Sequence, residues 1–182
     1  MKLYYKLNLP AMPIKENIVW PEFGDSKINF ANADANIVLT DELNEWFRNI
    51  GLVPDVLLLM TQPLSTIAIH SDGGQDTPSL CAINWTLFVN DYKMQWFKAD
   101  KMPSVTTGDL VSKTIYQATF YNENNCTLID ETSQTGPILV NNFIPHRVVN
   151  LENKTRWCVS VRVNPRFKTW ESAVDFFKPW IV

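Results

Sequence analysis

Short β-prone runs, each closed by a turn, succeed one another through more than half of the chain, and no other feature limits the fold so strongly. They fall at residues 56–60, 66–70, 81–89, 94–98, 110–115, 117–121, 126–130, 137–140, 147–150 and 156–163, with an earlier one at 2–7. Asn90-Asp91, Gly108, Asn124-Asn125 and Gly136 punctuate them. The pattern predicts a mainly β protein, a sandwich or a barrel, because a βαβ fold needs helical stretches of about 10–15 residues between strands. Two flanking helices are expected. The first covers 41–50, with Thr40 as its cap, acids in its first turn and Gly51 at its end. Leu43, Trp46, Phe47 and Ile50 give it an apolar stripe. The second covers 170–177 and stops before Pro179, with Trp170, Val174 and Phe177 placed to pack on the sheets.

The 182 residues predict one domain spanning 1–182, since domains average about 150 residues. With 46% hydrophobic and 19% charged residues, the chain is not a disordered regulator and can bury a large core. Sixteen basic against nineteen acidic residues argue against a broad nucleic-acid or anionic-membrane surface. The apolar runs are far shorter than the roughly 20 residues of a membrane helix. The N-terminal stretch lacks the apolar segment of a secretory signal. Cys81, Cys126 and Cys158 form no Cys-x-x-Cys pair and read as free, mostly buried thiols. A cytoplasmic, reducing setting without membrane contact is the expectation.

Chemistry is confined by the scarcity of histidine. The chain has only two, so a two-imidazole metal site must use both. His70 and Asp72 bracket Ser71, and on extended backbone their side chains share one face while Ser71 points away. His146 opens another run 74 residues after Asp72. Two imidazoles and one carboxylate brought to one point occupy one face of an octahedral ion and leave three positions open, as in non-haem Fe(II) oxygenases. A His-x-Asp triplet alone reads more often as a surface ion pair or hydrogen bond. What strengthens the metal reading is Arg156, ten residues after His146. In the run that follows, Arg156, Cys158, Ser160 and Arg162 share one face, and Trp157, Val159, Val161 and Val163 the other. That polar face is either solvated or lines a cavity in which Arg156 grips a carboxylate in bidentate fashion and Ser160 adds a hydroxyl.

On these residues the sequence resembles the iron(II)- and 2-oxoglutarate-dependent dioxygenases, most of all their aspartyl/asparaginyl and prolyl hydroxylase-like branches. The family pattern is His-x-Asp/Glu, a distal His and a basic residue some ten positions on. His70, Asp72, His146 and Arg156 match it. The resemblance implies a double-stranded β-helix, a cupin-like jelly-roll, with its core at about 56–164. It implies His70, Asp72 and His146 as iron ligands at the catalytic centre, with Arg156 holding the far carboxylate of 2-oxoglutarate. The expected reaction consumes 2-oxoglutarate and O2, releases succinate and CO2, and hydroxylates a small molecule or peptide. Asn84 and Ser160 are candidate cosubstrate contacts, although the serine that some members carry two positions after the arginine is Cys158 here. Asn84 also reads as a sheet hydrogen bond, Trp96 as a pocket wall or an ordinary core aromatic, and Arg162 as an anion contact, a substrate contact or an outward charge. Segments 73–79, 90–109 and 122–125 are expected to shape the mouth, Gly73 and Gly74 giving the first its freedom. Two rival readings remain: a cupin-like metalloenzyme, whose first motif commonly supplies more than one histidine, and a non-catalytic jelly-roll.

Overall fold

The computed structural model describes residues 2–22, 28–73, 80–101, 105–111, 114–163 and 167–182; for 28–29, 105–111 and 114–117 it describes the backbone alone. Among them twelve strands form two six-stranded antiparallel sheets. One sheet runs β1 (Tyr4–Lys6), β10 (Ile138–Asn141), β5 (Cys81–Leu87), β12 (Arg156–Arg162), β3 (Asp55–Thr61) and β2 (Ile28–Ala33). The other runs β7 (Val105–Val111), β8 (Thr114–Phe120), β4 (His70–Asp72), β11 (His146–Asn150), β6 (Tyr92–Ala99) and β9 (Cys126–Thr132).

The eight strands β3, β4, β5, β6, β9, β10, β11 and β12 account for the architecture. Taken in chain order as first to eighth, they lie sixth-third-eighth-first in one sheet and second-seventh-fourth-fifth in the other. The chain therefore crosses between sheets at almost every connection, which is the winding of a double-stranded β-helix, the cupin-like jelly-roll. Strands β1 and β2 extend the first sheet at its two ends, and the β7–β8 hairpin extends the second beyond β4.

Two cores hold the layers. The larger packs the outer face of the first sheet against α2 (Asp41–Asn49) and α3 (Trp170–Phe177), burying Leu43, Phe47, Val159, Val161, Trp170 and Phe177 among others. Truncating a ring such as fully buried Phe47 costs about 3–5 kcal/mol. The smaller core lies around Tyr92, Met94, Trp96, Ile138 and Val140. In β12 the two faces are thus both covered: Val159 and Val161 point to the helices, while Arg156, Cys158, Ser160 and Arg162 line an internal cavity. The solvated-face reading of this strand is thereby excluded.

Local signals explain the helices. The Thr40 hydroxyl accepts from the Leu43 N–H at 3.3 Å, and Asp41 and Glu42 sit in the first turn of α2, where the helix dipole favours them. Gly51 follows with φ 69°, a conformation that costs glycine nothing. Thr169 and Ser172 cap α3 reciprocally, and Pro179 sits in a 3₁₀ turn, Lys178–Trp180, that ends it.

Several expectations need correction. The run at 66–70 is not a strand: only His70–Asp72 is, and Thr66 makes an isolated bridge to Val149. The expected strand at 110–115 is split, because β7 ends at Val111 and β8 starts at Thr114, and Gly108 lies within β7 opposite Gln117 rather than at a turn. Strand β2 and the single-turn helix α1 (Ala35–Val38) had no counterpart in the sequence reading. No helix among the described residues is long and apolar enough to cross a membrane.

Candidate metal centre and its cavity

Strand pairing assembles the site. His146 at the start of β11 lies directly opposite His70 in β4, and the two rings stand 4.6 Å apart. Asp72, two residues along β4, presents its carboxylate to the same side. Its Oδ1 lies 3.6 Å from His70 Nε2 and 4.0 Å from His146 Nε2. One donor atom from each of the three residues falls within 4.8 Å of the others, and all three residues are buried. This is a two-histidine, one-aspartate facial triad.

Each imidazole is oriented from behind. His70 Nδ1 is 2.9 Å from the Ala68 carbonyl and His146 Nδ1 is 2.9 Å from the Ile144 carbonyl. A carbonyl can only accept, so each Nδ1 donates its hydrogen there and each Nε2 faces Asp72. Burial, and then the neighbouring His70 ring, pushes the His146 imidazole down to about 4. At neutral pH it is uncharged, the form that binds a metal. The donor set therefore fits a divalent first-row ion: two imidazole nitrogens and one carboxylate, in a buried setting.

Asp72 is the most heavily supported of the three. Its N–H donates to the Asn142 carbonyl at 3.0 Å, and its Oδ2 accepts from Asn142 Nδ2 at 2.9 Å and from Arg162 Nη2 at 3.2 Å. Gly73 follows with φ 81°, a conformation glycine adopts without strain. The mouth segments expected at 73–79 and 90–109 fall partly on residues 74–79 and 102–104, outside the described residues.

The cavity has a volume of about 160 Å³ and is walled by both sheets. Apolar side chains such as Leu59, Ile67, Met94 and Phe120 line it together with the triad, Arg156, Ser160, Arg162 and Asn84. Cys158 also lines the cavity, and burial pushes its thiol up. Arg156 is 3% exposed. One guanidinium nitrogen donates to Thr86 Oγ1 at 2.8 Å, and its plane lies 4.7 Å from the Tyr92 ring centre. Among the described residues no carboxylate lies within ion-pairing distance of it. Trp96 does not line the cavity. It is fully buried in the smaller core, stacked on Tyr4 at 5.4 Å and bonded through its indole N–H to the Asn141 carbonyl. Arg162 is turned inward to Asp72 rather than outward.

Sequence reasoning overlooked three contributors: Asn142, Tyr92 and Thr86. Asn142 directly follows β10 and gave no local sign of its role. No disulfide links the cysteines: Cys81 and Cys158 are buried, and burial raises Cys81 to about 12.

The class this architecture defines is a cupin-like double-stranded β-helix carrying a 2-His-1-Asp facial triad for a divalent metal. No protein-family model matches the chain, and no curated protein sequence matches it. Its backbone is similar to the vicilin of Solanum melongena (12% identity, TM-score 0.42, covering 81% of this chain and 31% of that one). It is also similar to the oxalate decarboxylase of Bacillus subtilis (11% identity, TM-score 0.41, covering 80% and 28%) and that of Lactobacillus farciminis (11%, 0.38, covering 81% and 31%). The chain spans less than a third of each of these proteins, and similarity this shallow carries no chemistry across.

Proposed function

We propose that the protein is an Fe(II)- and 2-oxoglutarate-dependent oxygenase that hydroxylates a small molecule or peptide, with release of succinate and CO2. The observation that carries this reading is Arg156: a buried guanidinium with no acidic partner among the described residues, facing the same cavity as the triad. A permanently charged group buried this way requires a counter-ion, and a ligand carboxylate supplies it. Further polar atoms support a polar ligand. Thr61 Oγ1, Asn84 Oδ1, Asn142 Oδ1 and Arg156 Nε are all buried, all belong to cavity-lining residues, and have no hydrogen-bond partner among the described residues. Leaving such groups unpaired costs about 1–3 kcal/mol each, so an occupant that pairs with them is favoured.

His70, Asp72 and His146 would hold the iron on one face, an arrangement that in general leaves positions open to small ligands. Arg156, held by Thr86 and the Tyr92 face, receives the distal carboxylate, with Ser160 and Asn84 as further polar contacts along the cosubstrate. The apolar wall keeps water away from the reacting carbon. Iron, when bound, supplies the redox chemistry by which oxygen is spent on cosubstrate and substrate. A cupin-like metalloenzyme is the second reading; its first motif commonly supplies more than one histidine, whereas His70 is the one histidine of the first motif here. The test is anaerobic loading with Fe(II) and 2-oxoglutarate followed by exposure to O2, across amino acids, peptides and small acids. Iron-dependent formation of succinate is expected; ligand binding with no succinate under any condition sinks the oxygenase reading.

A further inference from the structure

We infer that Arg162 and Asn142 are positioning residues that hold Asp72 to one-oxygen coordination, and so keep the third metal position open. The inference rests on the metal-binding part of the reading above. Aspartate can meet a cation through one oxygen or through both, and its terminal torsion is a soft, two-fold rotor. Bidentate binding would take up a position on the ion that a facial triad otherwise leaves open to other ligands.

The two carboxylate oxygens of Asp72 are in unlike settings. Oδ1 faces the Nε2 atoms of His70 and His146, at 3.6 and 4.0 Å. Oδ2 accepts from Asn142 Nδ2 at 2.9 Å and from Arg162 Nη2 at 3.2 Å. Rotating Oδ2 onto the metal would break the charge-assisted hydrogen bond from Arg162 and the hydrogen bond from the Asn142 amide together, inside a buried site where both are strong. Asn142 itself cannot drift, because its backbone carbonyl accepts from the Asp72 N–H and its own N–H donates to the Leu80 carbonyl. Backbone carbonyls orient the histidines; the carboxylate, with its freer rotor, is held by two side chains from β12 and the end of β10.

Cobalt(II) alone is a suitable probe, since its visible absorption reports coordination number and needs no turnover. For wild type, we expect saturable Co(II) binding with a weak, six-coordinate spectrum. Arg162→Met and Asn142→Ala should each weaken Co(II) binding about tenfold and change the spectrum, the range seen when outer-sphere partners of metal ligands are lost. Arg162→Lys, which keeps a charged donor, should recover most of the affinity. Affinities and spectra within twofold of wild type in folded Arg162→Met and Asn142→Ala overturn the inference while leaving the triad intact. Absence of Co(II) binding by wild type overturns the triad itself. Should either variant fail to fold, a crystal structure of Co(II)-loaded wild type decides: one oxygen of Asp72 on the metal supports the inference, and two overturn it.

Discussion

The two arginines that begin and end β12 share a strand, a face and a cavity, and differ in what balances their charge. Arg162 meets Asp72 at 3.2 Å, so its counter-ion is part of the fold. Arg156 is more deeply buried, yet its contacts among the described residues are the Thr86 hydroxyl, the Cys158 thiol and the Tyr92 side chain, none of them a carboxylate. One end of the cavity is electrostatically complete for holding a cation; the other waits for an anion. A protein pays for burying an unpaired charge, and a fold keeps such a group where binding returns the cost.

The largest effect expected from breaking this contrast is at the complete end. His70→Ala or His146→Ala should reduce Fe(II) affinity more than about 100-fold, because neither imidazole has a substitute in the chain. Anaerobic titration checks this, and stoichiometric binding by either variant removes that histidine from the site. At the other end, Arg156→Ala should leave Fe(II) affinity within about twofold but raise the 2-oxoglutarate requirement tenfold or more, in line with losing a buried charged hydrogen bond. An unchanged cosubstrate titration curve takes Arg156 out of its role.

The third effect is on stability against pH in the metal-free protein. His146 in the fold resists protonation down to about 4, whereas the unfolded chain takes up that proton near 6.5. Between those values the unfolded state binds more protons, so stability falls as pH falls, by on the order of 3 kcal/mol over the whole window. Thermal melts from pH 7 to 4 should show a flatter profile for His146→Gln than for wild type; parallel profiles contradict the assignment. The smallest effect sharpens the comparison most. In the ligand-free protein Arg156→Met should raise the melting temperature, by roughly 2–4 °C for each kcal/mol recovered, and Arg162→Met should lower it. Equal losses in both would mean that the fold itself balances Arg156.

Most of the jelly-roll strands and both main helices were legible, because turn residues and apolar periodicity mark them within a short window. Strand β2 was not, since Ile28–Ala33 alternates its apolar residues with Asn and Ala, poor β-formers whose extended state comes from pairing with β3. Helix α1 has four residues, too few to express a period. The split between β7 and β8 fell inside a run whose composition is strand-like on both sides. The triad pattern was visible because His-x-Asp uses the two-residue repeat of a strand. Asn142 was not, because its part depends on the end of β10 lying against β4, which no local spacing records. Likewise, Tyr92 meets Arg156 only across the two sheets.

Because β12 is covered on both faces, it sorts the consequences of mutation by parity. Changes at 157, 159, 161 and 163 fall on the helix-packed side and are expected to register as lost folding. Changes at 156, 158, 160 and 162 fall on the cavity and should register as altered binding in a protein that still folds. The strand and the residue after it thus give selection two nearly independent dials on eight consecutive residues, and let the lining of the cavity drift toward new ligands without drawing on the stability of the core.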